Sequence, residues 1–359
     1  APLPRLRAPR FAGGPANLWR YRDALPCADA WEPVSLGEGF VPLEPLRVSG
    51  LERPVLALRD DLHPTGSWKD RGSTVLVSAL AAGSRQPLVE DSSGNAALSI
   101  ARYAELAGLP LTLFVPSRIQ PAKRQLLERT TAELVLVPGT REDSTRAAAQ
   151  AVREGALWAS HVMQPLHAAG AATAAFNIVE KLGATPGAVV APVGHGGLLA
   201  GLHAGFAALS GDRNDPMPRL IGVQSQLCAP VAKAFRQGRL RAAAAAPAHG
   251  LPDGVLIAEP GRDREALAAA RETGGVIVEV DELAVERALR LLWLEQVAVE
   301  PTAALPVAWM LGREGRTLLN ACESVVVVLT GHGMRDGVSL WYAFWMGGHL
   351  SEEDAGVPE

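Results

Sequence analysis

Cysteine and lysine are both scarce in this sequence, and the scarcity of cysteine narrows the possible functions. The three cysteines, Cys27, Cys228 and Cys322, lie far apart and without C-x-x-C spacing, which argues against a disulfide framework and against a zinc site. The eight histidines also lack the close spacing of metal ligands, so we predict no metal centre. Free thiols fit the reducing cytoplasm, which is the expected location.

An excess of charge and a long unbroken hydrophobic run are also missing. The formal net charge is −4, which favours neither nucleic acid nor an anionic membrane, because both select clustered Lys and Arg. The most apolar long stretch, residues 188–209, contains two histidines and five glycines and is therefore predicted as a buried strand and helix rather than a membrane span. A small molecule is the expected partner.

The middle of the chain alternates strand-like runs with helical patterns, which predicts an α/β fold with parallel sheets flanked by helices. The 359 residues, 48% of them hydrophobic, are enough for two lobes. We expect a small substrate lobe at residues 86–175 and a large cofactor lobe formed by residues 1–85 and 176–359. The predicted strands are 87–90, 111–116, 134–138, 188–193, 220–224, 275–280 and 325–329, and the predicted helices are 95–107, 119–128, 143–153, 168–182 and two that begin at 198 and 281.

Lys69 is the first candidate for chemistry. Only four lysines accompany thirty arginines, and arginine forms no imine at neutral pH because it stays protonated. In the segment PTGSWKDRG at residues 64–72, Ser67 and Asp70 have capping-box spacing, which predicts a helix with Lys69 in its first turn. The helix dipole there disfavours an ammonium ion and favours a nucleophilic amine. An ordinary exposed lysine at a helix start is the alternative.

A second segment, EDSSGNAA at residues 90–97, lies between a predicted strand and a predicted helix. Its small hydroxyl residues, its glycine and the N–H groups of a helix N-terminus can surround a carboxylate. The side chain of Asn95 can donate a hydrogen bond to a phenolic oxygen. The alternative is a well-capped helix with no ligand.

Two further segments follow predicted strands at glycine-rich turns. In PVGHGGLLAG at residues 192–201, closely spaced glycines let backbone N–H groups bind a phosphate at a helix N-terminus. A dinucleotide fingerprint would need glycine in place of Leu199, and a P-loop would need a lysine. In LTGHG at residues 329–333, the hydroxyl of Thr330 can hydrogen-bond a pyridine nitrogen. A plain turn after a core strand is the alternative for each.

In this order and context, the four segments resemble the fold type II pyridoxal 5′-phosphate (PLP) enzymes, and most closely the threonine synthase-like family of the tryptophan synthase beta superfamily. PTGSWKDRG is similar to that family's P-T-G-S-F-K-D-R-G, EDSSGNAA to its S-T-G-N loop, and LTGHGMRD to its T-G-H-G-L-K-D. LWRYR at residues 18–22 and EPTAA at residues 300–304 also have family counterparts, so the resemblance spans nearly the whole chain.

The resemblance implies PLP as the cofactor, a small amino acid as the substrate and a homodimer as the assembly. Lys69 would hold PLP as a Schiff base and move protons, Asn95 would contact the 3′-oxygen, and Thr330 would contact the pyridine nitrogen. The cofactor phosphate would be bound by Gly194, His195, Gly196, Gly197 and Leu198, and the substrate carboxylate by Ser92, Ser93 and Ala96.

The implied reaction is that of a lyase: Lys69 removes the α-proton, and a leaving group departs from the β or γ carbon. Two other functions stay open. One is a serine/threonine dehydratase, because GHGGL is closer to the G-G-G-G-L loop of those enzymes than to a threonine synthase loop, which usually contains Asn. The other is a protein that binds PLP without turnover.

Residues 164–173 depart from the family pattern. The family has N-P-x-R-x-E-G-Q-K-T there and uses its polar and basic residues for the phosphate of O-phosphohomoserine, whereas this chain has QPLHAAGAAT. His167 stands at the Arg position and Ala172 at the Lys position. Loss of charge-assisted contacts worth about 1.5–3 kcal/mol each predicts weak recognition of a phosphorylated substrate.

The sequence also carries a C-terminal tail that the family pattern lacks. It lies beyond Asp336 and contains four aromatic residues, Trp341, Tyr342, Phe344 and Trp345. Ordinary core packing is the expected role of these side chains, and covering the active site or a dimer partner is the alternative.

Overall fold

The computed structural model describes residues 2–11, 13–26, 28–213 and 216–333. Cys27 and the aromatic tail lie outside the described residues, so the roles considered for the tail stay predictions. The described strands are β1 (Leu43–Leu46), β2 (Val55–Leu58), β3 (Leu88–Glu90), β4 (Leu111–Pro116), β5 (Glu133–Val137), β6 (Leu157–Trp158), β7 (Ala188–Pro192), β8 (Arg219–Ser225), β9 (Val276–Val280) and β10 (Val325–Val328).

Helices alternate with these strands over most of the chain. The described α-helices are α1 (Lys69–Gly83), α2 (Asn95–Leu106), α3 (Pro121–Glu128), α4 (Arg141–Arg153), α5 (Pro165–Leu182), α6 (Gly197–Arg213), α7 (Pro230–Arg236), α8 (Asp263–Glu272), α9 (Glu282–Leu294), α10 (Pro301–Leu311) and α11 (Arg313–Asn320). None of the helices in the described ranges is long and apolar enough to cross a membrane.

The predicted elements are confirmed at nearly the same bounds. The run 111–116 is strand β4, and the helix predicted at 95–107 is α2. The prediction missed strand β6, which has two residues and therefore gives no periodic signal. It also missed helix α10, in which the residues from Pro301 to Met310 are all buried. A helix that is apolar on every face lacks the amphipathic period on which such predictions depend.

The chain divides into two compact units, and each is made of several stretches. Unit 1 consists of Ala1–Val41, Leu62–Asn177 and Ala204–Asn214, and unit 2 consists of Pro42–Asp61, Ile178–His203 and Asp215–Glu359, of which residues 216–333 are described. Both units contain a β-sheet with helices packed on it. The lobe boundaries at residues 86 and 175 stay a prediction.

Unit 2 contains a six-stranded sheet in the order β1-β2-β10-β7-β8-β9. The pair β1–β2 is antiparallel, and the other four pairs are parallel. Strands β7 and β10 are buried along their whole length, as expected for central strands covered on both faces. Val325 pairs with Ala188 and Val327 with Val190. The loops that follow β7 and β10 therefore leave the sheet at the same edge.

Unit 1 contains a four-stranded parallel sheet in the order β5-β4-β3-β6. Its core is formed by side chains of the sheet and of helices α1 and α2, among them Leu113 and Ile100. Leu88 of β3 pairs with Leu157 of β6. Because these strands are parallel neighbours, the residues that follow them meet at one edge of the sheet, where helix α2 also begins.

Candidate active site

Lys69 is the first residue of helix α1, as the sequence predicts. Its side chain is half-buried, and its Nζ lies 4.3 Å from the centroid of the Trp68 ring. The predicted capping box of Ser67 and Asp70 is wrong, because Trp68 is the N-cap residue and the Asp70 carboxylate bonds Thr65 and Ser99. The Ser67 hydroxyl accepts only a long hydrogen bond, at 3.4 Å, from the backbone N–H of Lys69. The N-terminal turn that carries Lys69 is held in place by other contacts.

The Asp70 carboxylate provides one of these contacts by reaching back to the preceding loop. It is fully buried and accepts hydrogen bonds from the backbone N–H of Thr65 at 2.7 Å, from the hydroxyl of the same residue, and from the hydroxyl of Ser99 at 2.6 Å. Burial raises the pKa of the Asp70 carboxyl, while His63, Ser99 and Thr65 oppose that rise. Helix α1 is thereby joined to helix α2.

Arg71 provides the second contact. Its guanidinium is fully buried and donates to the carbonyl of Gly39 at 2.8 Å, to the hydroxyl of Thr173 at 3.2 Å and to the side-chain oxygen of Asn177 at 2.9 Å. Asn177 also accepts from the backbone N–H of Val41 at 3.1 Å. The start of α1 is therefore fixed to helix α5 and to the N-terminal segment.

The loop of residues 92–96 precedes helix α2 in the same unit. Ser92 and Ala96 are buried, while Ser93, Gly94 and Asn95 are half-buried. The backbone N–H of Gly94 donates to the Ser92 hydroxyl at 3.3 Å, and Gly94 is an N-cap residue without a side-chain capping hydrogen bond. As a glycine, Gly94 has no side chain with which to cap the helix, and the alternative of a helix start without a ligand stays open. The N-terminus of a helix carries the positive end of the helix dipole, which attracts anions.

The glycine-rich loop lies in unit 2 between β7 and α6, and it packs closely on the start of helix α8. Gly196 has a φ of +93°, and a Cβ atom there would lie 2.6 Å from the carbonyl oxygen of Arg262. A Cβ on Gly194 would lie 3.2 Å from the carbonyl oxygen of Gly254. The backbone N–H of Arg262 donates to the carbonyl of His195 at 2.9 Å. A side chain is thus excluded at Gly196 and crowded at Gly194, so at these positions the backbone is the part that can approach a ligand.

Thr330 follows strand β10 in the same unit and is fully buried. Within the described ranges, its Oγ1 has no hydrogen-bond partner. A buried hydroxyl without a partner is unfavourable by about 1–3 kcal/mol, so its presence needs a reason. Gly331 is packed so closely on the Glu300 carboxylate that a Cβ atom there would clash.

The predicted site residues thus fall into two groups. Unit 1 holds Lys69, Ser92, Ser93, Asn95 and Ala96, and unit 2 holds Gly194, His195, Gly196, Gly197, Leu198 and Thr330. Within unit 1, helix α1, which carries Lys69, is hydrogen-bonded to helix α2, which follows the serine loop. Within unit 2, the two loops leave the same edge of the sheet after β7 and β10.

The two substituted positions of the segment 164–173 lie in helix α5 and are buried. The His167 ring stands 6.0 Å from the Trp68 ring and packs so closely on Gly72 that a Cβ atom there would clash. Ala172 lies where α5 meets α6, and a Cβ on Gly205 would clash with its carbonyl oxygen. Ala172 offers no positive charge, and helix packing leaves little room around it.

One contact of the site was not predicted. Glu90, at the end of β3, lies 2.7 Å through Oε1 from the Nδ1 atom of His161, and both side chains are buried. The two residues are 71 positions apart, so local patterns carry no sign of the contact. The available signal was a charged residue directly after the apolar Leu88 and Val89, which is unusual for the end of a central strand.

Comparison with known proteins agrees with this geometry. A family described as pyridoxal-phosphate dependent enzyme matches residues 34–331. Threonine synthase from Synechocystis sp. is 31% identical over 89% of this chain and 85% of that protein, and threonine synthase from Mycobacterium leprae is 30% identical over 90% and 89%.

A solved structure leads to the same family. The crystal structure of T.th. threonine deaminase superposes with a TM-score of 0.70 at 30% identity, covering 82% of this chain and 92% of that one. The resemblance inferred from the four segments is confirmed, as is the fold type II architecture. The chain therefore belongs to the pyridoxal-phosphate dependent enzymes and is a threonine synthase-like member of them.

Proposed function

We propose that this PLP-dependent enzyme catalyses elimination or replacement at the β or γ carbon of a small amino acid. Lys69 is proposed to bind the cofactor and to carry the α-proton. The observation that carries the proposal is the position of Lys69 at the start of α1, which the buried Asp70 and Arg71 side chains fix in place. A lysine at a helix N-terminus has its ammonium form disfavoured, which suits a nucleophile and proton carrier.

In each unit, taken by itself, the residues proposed for PLP fit the part of the cofactor that they would hold. The glycine-rich loop of residues 194–198 presents backbone N–H groups at the start of α6, which suits a phosphate. Thr330 has a buried hydroxyl that lacks a partner within the described ranges, which suits the ring nitrogen of the cofactor. Asn95 is proposed for the 3′-oxygen. When bound, PLP supplies an electron sink for the bond broken at Cα.

Replacement of Thr330 by valine should separate its two effects. The change exchanges an unsatisfied buried hydroxyl for a methyl group of the same shape, so the protein without PLP should become as stable or more stable, by up to about 1–3 kcal/mol. The absorbance spectrum of bound PLP should shift, and affinity for PLP should fall. Thermal unfolding and a PLP titration measure the two effects.

Ser144→Ala is the matched control for this change. Ser144, in helix α4, also has a buried hydroxyl without a partner among the described residues. Its removal should raise stability in the same way but leave the PLP spectrum unchanged. An unchanged spectrum in Thr330→Val would contradict the role proposed for Thr330.

The substrate carboxylate is proposed to bind at Ser92, Ser93 and Ala96, where helix α2 begins after the N-cap residue Gly94. The distal part of the substrate is proposed to lack a phosphate, because Ala172 carries no charge and His167 is buried in α5. This favours a second candidate function within the family, a serine/threonine dehydratase that releases a 2-oxo acid and ammonia. The 30% identity to a threonine deaminase structure supports that candidate.

Mass spectrometry of the products formed from threonine, serine and O-phosphohomoserine tests the choice. We expect a 2-oxo acid and ammonia from threonine or serine. Turnover of O-phosphohomoserine should be lower by at least about a hundredfold than in an enzyme that keeps both charged residues, the effect expected when two charge-assisted contacts are lost. Efficient formation of threonine and phosphate would contradict the dehydratase assignment. No exchange of the α-proton with any amino acid would favour a PLP-binding protein without turnover.

We also propose a homodimer in the cytoplasm. The family resemblance supports the dimer, and the buried free thiols of Cys228 and Cys322 suit a reducing compartment. Light scattering of the purified protein would give twice the chain mass of 37.7 kDa for a dimer.

A further inference from the structure

Glu90 is a fully buried carboxyl group at the edge of the unit 1 sheet where helix α2 begins. Its Oε1 atom lies 2.7 Å from Nδ1 of His161, which is short enough for a shared proton. Its Oε2 atom has no hydrogen-bond partner within the described ranges. The loop proposed for the substrate carboxylate starts two residues after Glu90.

A row of aromatic side chains joins this pair to the start of helix α1. The His161 ring stands 6.0 Å from the His167 ring, and the His167 ring stands 6.0 Å from the Trp68 ring. The Trp68 ring in turn lies 4.3 Å from Nζ of Lys69. All of these residues belong to unit 1. The Glu90–His161 pair therefore belongs to the surroundings of Lys69.

Three charged side chains, burial and one backbone group act on the pKa of the Glu90 carboxyl. Burial raises the pKa of the Glu90 carboxyl well above its ordinary value, and the neighbouring Asp91 carboxylate adds to that rise. Lys69, Arg141 and the backbone of His161 oppose it. Lys69 is thus close enough to Glu90 for their charges to interact, and the interaction acts in both directions.

A purely structural role does not explain an acid at this position. A carboxyl group with a raised pKa destabilises the fold at every pH at which it would otherwise be ionised. A glutamine has the same shape and avoids that loss. Buried acids with perturbed pKa values beside a nucleophile are typical of functional sites.

We propose that Glu90 and His161 share one proton and that this pair sets the charge state of Lys69, which makes Glu90 a positioning residue for the lysine. The proposal rests on the function proposed above for Lys69. With its proton, the pair is electrically neutral. When the pair loses the proton, a net negative charge remains in the surroundings of Lys69 and favours a proton on the lysine nitrogen. Loss of the proton from the pair as pH rises therefore makes protonation of the Lys69 nitrogen more favourable.

Glu90→Gln in the PLP-loaded enzyme tests the proposal through a spectroscopic titration. The visible absorbance of bound PLP is followed from about pH 6 to pH 10, a range chosen to cover a lysine-linked nitrogen with a lowered pKa. Because the negative charge can no longer form, the midpoint of the titration should fall by about one pH unit. His161→Gln should shift it in the same direction, and the double variant should shift it no further than Glu90→Gln alone.

Glu38→Gln is the matched control, because Glu38 is another buried carboxyl group of unit 1. It accepts hydrogen bonds from Ser35 at 3.0 Å and from Tyr103 at 2.8 Å, and it is not among the largest influences on the pKa of Glu90. Its replacement should lower the melting temperature and leave the midpoint of the PLP titration in place.

Stability gives a second measurement that needs neither PLP nor substrate. The raised pKa of Glu90 means that wild-type stability declines as pH rises above the unfolded-state value of about 4.5, because the unfolded chain releases a proton that the folded chain holds. Glu90→Gln removes this decline. The variant should therefore melt a few degrees above the wild type at pH 8, and the difference should vanish near pH 4.5.

The outcomes separate this proposal from the proposed function. If wild-type protein shows a PLP band that depends on Lys69, but Glu90→Gln titrates at the same midpoint, the role of Glu90 is overturned and the function of Lys69 stands. If no band depends on Lys69, the proposed function itself fails. Additive shifts in the double variant would also overturn the shared proton.

Discussion

Replacement of Lys69 by alanine should remove the visible absorbance band of bound PLP and lower turnover by at least about a thousandfold. The alanine side chain can neither bind the cofactor covalently nor take up the α-proton, so both functions proposed for the lysine are lost together. The protein itself should stay folded, because Lys69 is half-buried and the start of α1 is held by the neighbouring Asp70 and Arg71. Absorbance, circular dichroism and product formation measure the three effects.

Lys233→Ala is the control for this change. Lys233 is an exposed lysine of helix α7, so its loss should alter neither the spectrum nor turnover. Added methylamine should restore part of the activity of Lys69→Ala, because a free amine can take over the proton transfer in a site that is otherwise intact. A Lys69→Ala protein that keeps the same PLP band would show that another lysine binds the cofactor.

The sequence alone was sufficient to predict the strands and helices whose residues show a clear hydrophobic pattern. Strand β10 is four consecutive valines, which form a fully buried central strand, and strand β4 matches its predicted bounds. Helix α10 was missed because its burial on all sides removes the helical period. The strands β1 and β2 were missed as well. The sequence of β1, LEPL, contains a glutamate and a proline, which are rare in strands. The sequence of β2, VLAL, is a short apolar run that local patterns cannot separate from a buried helical segment.

In the candidate site, too, the residues of local motifs could be predicted from the sequence, whereas contacts between distant parts of the chain could not. Lys69 lies in a continuous segment at a helix start, and Asn95 and the glycine-rich loop lie in continuous segments at strand–helix junctions. Their types and spacing were therefore visible in the sequence. The contacts that fix or charge these residues were not. Asp70 was expected to cap α1 through Ser67, yet its carboxylate bonds Ser99 of another helix.

The Glu90–His161 pair is a further long-range contact of this kind. It joins the last residue of β3 to a residue that follows the neighbouring parallel strand β6, and β6 itself was not predicted. Local sequence patterns could therefore not predict that these strands are neighbours. The contact between Glu90 and His161 could not be inferred before the order of strands in the sheet was known.

Replacement of Gly196 by alanine should weaken PLP binding by at least about tenfold, because the loop would lose the shape that its backbone now has. At a φ of +93° an alanine is strained, and its Cβ atom would stand 2.6 Å from the carbonyl oxygen of Arg262. That oxygen also accepts the hydrogen bond from the N–H of Ala266 at the start of α8, so neither side can move freely. A PLP titration measures the loss.

Gly238→Ala distinguishes the shape of the loop from backbone strain in general. Gly238 has a φ of +67°, and a Cβ atom there would meet no atom within 4 Å. Its replacement should lower the stability of unit 2 by about 1 kcal/mol and leave PLP affinity unchanged. If both variants lose stability but neither loses PLP affinity, the phosphate is held elsewhere. If only Gly196→Ala loses PLP affinity, the phosphate is bound by the backbone that follows β7. A side chain at Gly196 would displace the start of helix α8.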